Sequence, residues 1–272
     1  MSRISFEAYQ ALRAMNWSAL KDIATSPHLF RRRRDHPRPD TDALFFGRAF
    51  HAALLEPAVF ADAYVVEPDF GDCRKKENKA TRDAWRAENA TKIPLSNGDA
   101  DRIAHMVNAI HGHRQAHAAL VGCNEETITW QDPVTGLSCK GRLDTLGRGV
   151  VDIKTARDPS PGAFSRASAG YLYHGQAAWY HDGLIASGRL THPELPIILA
   201  IQNVEPWDVA VYRVDGQALE SGRALYRRLL TTFMACTAAN WWPGVAPEIL
   251  SLPMPSWASE TEPEPSDDDG DF

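Results

Sequence analysis

The stretch CKGRLDTLGRGVVDIKTA, residues 139–156, constrains this chain more than any other. Two runs of alternating apolar and polar residues flank Gly147-Arg148-Gly149, the pattern of an antiparallel hairpin closed by a three-residue turn. With Leu146 opposite Val150, Asp144 stands opposite Asp152. Facing side chains in such a pair have Cβ atoms about 4.5–5.5 Å apart, so the two carboxylates repel unless a cation relieves them. Lys154 lies two residues after Asp152 and is expected on the same face, while Leu143 and Ile153 are expected on the other, in the core. An exposed hairpin with ordinary surface charges is the weaker reading, because Val150-Val151-Asp152-Ile153-Lys154 is apolar enough for a central strand.

Carboxylates forced together suit a hard divalent cation. Mg²⁺ is typically held by one or two carboxylates together with substrate phosphate, and Mn²⁺ is the alternative ion. The preceding strand offers a third acid. An even-length turn between Trp130 and Leu137 puts Glu125 on the face of Asp144, whereas an odd-length turn would put Glu126 there. Asp144, Asp152 and Lys154 are thus the candidate catalytic residues, with Glu125 beside them.

Around this segment the periodicity predicts helices over 5–16, 19–24 (with Ser18 as N-cap and Ser26-Pro27 as the stop), 41–56, 99–120, 170–187 and 216–239. An exposed helix is expected within 67–98. Strands are expected near 125–131, 137–146, 150–156, 196–204 and 207–214. This order predicts an α/β (α+β) fold in which helices flank a central mixed sheet. A basic, proline-broken loop is expected from Arg31. Arg31, Arg32, Arg33 and Arg34, with Lys75 and Lys76, are candidates for DNA phosphate contacts, a plain solvated face being the alternative.

The net charge of −6 is unfavourable for a nucleic-acid partner until it is located. The tail Ser259–Phe272 carries seven acidic and no basic residues, so the remainder has 29 basic against 28 acidic side chains. The tail has the composition of disorder. Four scattered cysteines without a CxxC pair exclude a disulfide framework and an iron–sulfur cluster. His111, His113 and His117 have no acid or cysteine in step and do not make a zinc site. Trp241-Trp242-Pro243 reads as packing rather than a base-stacking platform. No apolar run reaches a membrane span, and no secretory signal opens the chain, so a cytoplasmic protein is expected.

The acid, turn and acid-x-Lys pattern resembles the PD-(D/E)xK nuclease superfamily. The surrounding words GRAFHAALLEP, EETITWQDPVTGLSCKGRLD, VVDIKTARDPSPGAF and YHGQAAWYHDGL, with a closing C…WWPG…LPMPSWA, resemble the RecE (exodeoxyribonuclease VIII) nuclease domain and related phage exonucleases over residues 8–258. The resemblance implies a restriction-endonuclease-like core in a single domain over 1–258. It adds His51 and the Ile153 carbonyl to Asp144 and Asp152 as metal-site groups. Gly47, one turn before His51, would let a neighbouring backbone or DNA come close. The QxxxY motif falls on Gln176 and Tyr180, and Ser18 and Lys21 of WSALK match a segment that meets the DNA end. The implied activity is a 5′→3′ exonuclease on double-stranded DNA ends, leaving a 3′ strand for a RecT-like single-strand annealing protein. The implied assembly is a ring of identical subunits. A PD-(D/E)xK endonuclease and a non-catalytic DNA-end-binding module are the alternatives.

Overall fold

The computed structural model describes residues 4–37 and 39–255, so the acidic tail and its expected disorder lie outside the described residues. Three short helices open the chain: α1 (Phe6–Ala11), α2 (Trp17–Thr25) and α3 (Pro27–Asp35). Each differs from its expectation for a physical reason. α1 stops at Ala11 because the Lys140 ammonium draws in the carbonyls of Tyr9 and Leu12 at 2.8 Å and of Gln10 at 3.3 Å. The chain then runs extended to Met15, which makes a parallel bridge to Cys139. Asn16, not Ser18, caps α2, its carboxamide accepting the Ala19 N–H at 2.9 Å. Pro27 starts a helix instead of ending one, since at the first helical position its missing N–H costs nothing and Ser26 caps the turn. Arg31–Arg34 therefore stand on a helix, not in a loop.

α4 (Asp42–Leu55) is capped by Thr41, and α5 (Pro57–Ala63) follows directly. A small parallel sheet, unforeseen from sequence, joins β1 (Tyr64–Val66) to β2 (Ile93–Leu95) across α6 (Lys76–Glu88). Strands of three residues are too short to show a period of two. The helix expected over 99–120 divides into α7 (Asn97–Gly112) and α8 (Arg114–Ala119). His113 breaks it by capping α8, its Nδ1 accepting the Ala116 N–H at 3.1 Å.

The main sheet comprises β3 (Cys123–Gln131), β4 (Ser138–Leu146), β5 (Val150–Ala156), β6 (Ile197–Gln202) and β7 (Val209–Arg213), adjacent in that order. Only β5 and β6 run parallel. Their crossover carries α9 (Pro161–Gly170), absent from the sequence reading, and α10 (Tyr173–Ala186); α11 (Gly216–Ala239) closes the fold. Helices cover both faces of a mixed sheet, as the alternation of elements predicts. On one face Leu143, Val150, Ile198 and Ala200 pack with Trp179, Leu184 and Leu230; on the other Val151, Ile153, Leu199 and Ile201 pack with Phe50, Met106 and Ile110. β5 and β6 are buried on both faces, which is why they read as nearly continuous apolar runs.

Two glycine contacts set how closely α10 sits. A Cβ at Gly183 would stand 2.8 Å from the Trp130 ring, and one at Gly222 of α11 would stand 2.2 Å from the His174 carbonyl oxygen. The buried residues of α10 surround its axis, from Ala177 and Ala178 through Trp179, Tyr180 and Leu184. Cys73, Cys123, Cys139 and Cys236 are free thiols. No described helix is long and apolar enough to cross a membrane.

Candidate functional site

The hairpin of β4 and β5 has the anticipated turn and register, with Leu146 opposite Val150 and Thr145 opposite Val151. The ladder is then lost. Asp144 turns its Oδ2 onto the Ile153 N–H at 2.7 Å, so a side chain takes the place of the next main-chain bond. The expectation that Asp144 and Asp152 face each other in a regular pair is thereby corrected. So is the expectation that Leu143 and Ile153 share one core face, since they lie in opposite core layers. Beyond this point β4 stays paired with β3 and β5 with β6, and no further register pair joins β4 to β5.

One group of ligands gathers on the α4 side of the gap. His51 Nδ1 lies 3.6 Å from Asp144 Oδ1, and His51, Glu125 and Asp144 each offer a ligand atom within 4.8 Å of the others. Among the described residues this is the one such group of three or more. Six residues separate Gln131 from its partner Ser138, an even number, and Glu125 accordingly shares the face of Asp144. Glu126 points away and pairs with Arg189 at 2.8 Å. Glu125 has a left-handed backbone (φ 54°) and accepts from Arg142 Nε at 2.5 Å. A Cβ at Gly47 would meet nothing within 4 Å, so no described backbone uses the space that this glycine leaves.

A second group lies on the α10 side. Lys154 Nζ is 2.6 Å from Asp152 Oδ2 and donates to Gln176 Oε1 at 3.0 Å. Gln176 Nε2 donates in turn to Asp152 Oδ1 at 3.1 Å and to the Tyr180 hydroxyl at 3.2 Å. The i, i+4 spacing of Gln176 and Tyr180 presents both to the site from one face of α10. Tyr173, three residues before Gln176, places its ring centroid 4.8 Å from Lys154 Nζ. Sequence reasoning missed Tyr173 and Arg142. Helical spacing from Gln176 points to the first, and the i−2 position from Asp144 points to the second.

Electrostatics join the two groups. Burial raises the Asp144 carboxyl to about 6, helped by Asp152 and opposed by His51. Burial disfavours the Lys154 ammonium, but Asp152 and Asp144 outweigh it and hold this group above its ordinary value. Burial also pushes the Tyr180 hydroxyl well up. At neutral pH, Lys154 is a charged donor and Tyr180 a neutral one.

The candidate DNA contacts are dispersed. Ser18 with Arg13, Arg33 and Arg34 lines a groove of about 910 Å³, and Lys21 lies one turn further along α2. Arg33 pairs with Asp22, while Arg31 and Arg34 both reach Asp35 and Arg32 shares their helix. Lys75 stands at the N-cap of α6 and Lys76 begins it. His111 and His117 approach each other at 3.3 Å, but His113 is used as a cap. Trp242 stacks on Phe30 at 5.4 Å, a packing role; Trp241 is exposed.

Residues 16–251 match the family model of the PDDEXK-like domain of unknown function (DUF3799). The chain belongs to this family. A solved protein from Eubacterium rectale that carries the name "Putative exonuclease" is similar in structure, with a TM-score of 0.57, 13% identity, and coverage of 94% of this chain and 97% of that one. At that identity the likeness shows the fold. No curated protein matches the chain by sequence. The PD-(D/E)xK resemblance and the restriction-endonuclease-like core read from sequence hold at the level of family and fold.

Proposed function

We propose that this chain is a divalent-metal-dependent deoxyribonuclease that degrades duplex DNA from its ends, 5′ to 3′. The observation that carries the reading is the break between β4 and β5, where Asp144 holds the Ile153 amide beside the Asp152–Lys154–Gln176 network. The residues fit a cation. His51, Glu125 and Asp144 converge, and burial, with Asp152 adding to it, raises Asp144, a penalty that a hard cation would offset. His51, Glu125 and Asp144 would hold Mg²⁺, or Mn²⁺, with Asp152 and the Ile153 carbonyl as the further groups that the resemblance implies. At such a site a bound ion supplies polarisation of the phosphate and a water of lowered pKa.

The protein's own groups supply the rest. Lys154 is a fixed ammonium that can donate to a phosphate oxygen or orient a water, and Gln176 fixes its direction. Tyr180 holds the amide of Gln176, so the two helix residues act as one unit. The direction of digestion, work in the cytoplasm, a ring of copies and delivery of the 3′ strand to an annealing protein rest on the resemblance to RecE-like exonucleases.

Linear duplex DNA labelled at either end, and a closed circle, should be incubated with Mg²⁺ or EDTA, using wild type and Asp152→Ala. Mg²⁺-dependent nucleotide release from 5′ ends, absent in the variant and on the circle, is the expected result. Cutting of the circle would make the enzyme an endonuclease. Intact DNA that is nonetheless bound at its ends would end the catalytic reading.

A further inference from the structure

Glu125 is a strand residue with a left-handed backbone, a conformation that non-glycine residues keep only where their surroundings impose it. The ladder of β3 and β4 registers Asn124 with Thr145 and Glu126 with Leu143, and omits Glu125 opposite Asp144. Arg142 is what meets the displaced carboxylate. It lies two residues before Asp144, hence on its face of β4, and its Nε donates to Glu125 Oε2 at 2.5 Å. Both side chains are mostly buried, 14% and 13% exposed. The guanidinium is itself held, for Nη1 donates to the Ile4 carbonyl at 3.1 Å and the Phe6 ring centroid lies 5.7 Å from Cζ.

We propose that Arg142 is a positioning residue for the metal site: it fixes the rotamer of Glu125 so that the other carboxylate oxygen serves a divalent cation shared with His51 and Asp144. The inference rests on the metal-dependent reading above. A planar guanidinium held at two of its nitrogens fixes a carboxylate's direction, which a lysine ammonium does not. The same cation also repels a metal ion, so the sign of the effect separates the two roles. Partners that orient a metal ligand typically change metal affinity by about 10–100-fold.

Mn²⁺ alone should be titrated into the full chain and followed by electron paramagnetic resonance, with melting temperatures recorded in parallel for wild type, Arg142→Ala, Arg142→Lys, Glu125→Gln and the Arg142→Ala/Glu125→Gln pair. Arg142→Ala should weaken Mn²⁺ binding about 10–100-fold, with Arg142→Lys restoring only part of it. In the Glu125→Gln background, Arg142→Ala should add nothing. Unchanged or tighter Mn²⁺ binding in Arg142→Ala overturns the proposal while leaving the nuclease reading intact. If Arg142→Ala does not fold, Arg142→Lys decides: wild-type affinity there refutes the positioning role. A wild type that binds no Mn²⁺ overturns both.

Discussion

Asp144 shows how a single residue can be costly to the fold and necessary to the site. Its carboxyl titrates near 6 in the folded protein, above the ordinary value of 3.8, chiefly because it is buried. The folded state therefore holds this proton more tightly than the unfolded chain does. The metal-free protein should lose stability as pH rises from about 4 to about 6, by up to about 3 kcal/mol from this group. Asn can keep the bond to the Ile153 amide without carrying charge. Metal-free Asp144→Asn should thus melt a few degrees above wild type at pH 8 and show no such advantage at pH 4, as differential scanning calorimetry would record. An equal shift at both pH values would mean that the charge is not the cause. Metal affinity should fall below pH 6 for the same reason, since the ligand must be deprotonated.

At the scale of elements, the site depends on how three of them are held apart and together. β4 and β5 separate after two pairs, and α10 fills the space on one side with Gln176 and Tyr180. α10 reaches that depth because Gly222 lets α11 lie against the His174 carbonyl. Gly222→Ala would drive the two helices apart. The expected cost is about 1–3 kcal/mol of stability. Nuclease activity should fall further than the folded fraction does, because Gln176 moves with α10. Thermal melts beside rate measurements test this; a variant with reduced stability and full specific activity would show that α10 tolerates the displacement.

For the whole molecule, charge is divided between a near-neutral body and an acidic end. Removing residues 259–272 takes away seven acidic side chains and changes the formal charge from −6 to +1. If the tail competes with DNA for basic side chains, truncation should tighten DNA binding at low salt, and the gain should shrink as salt rises. Fluorescence anisotropy across a salt series would measure this, and superimposable curves for the two proteins would exclude such a role.

Much of this protein was determined by local pattern alone. A period of two and the Gly147–Gly149 turn dictate the three-strand meander and the hairpin register at Leu146 and Val150, while the length of the turn between β3 and β4, and with it the choice of Glu125 over Glu126, came from the structure. Spacing of four along a helix unites Gln176 with Tyr180. These follow from sequence because strand pleat and helix pitch are intrinsic to the backbone. The tertiary structure decided what periodicity does not encode. Lys140 ends α1 through carbonyls some 130 positions away in the chain, Ser26 and Pro27 start a helix that composition reads as a loop, and β1 and β2 are too short to carry a signal. It also decided the break in the hairpin. Local pairing rules predict a continuous ladder past Asp144 and Asp152, whereas only Leu146 with Val150 and Thr145 with Val151 pair. At the gap the Asp144 carboxylate takes the Ile153 amide, a long-range side-chain contact that strand pleat alone does not encode.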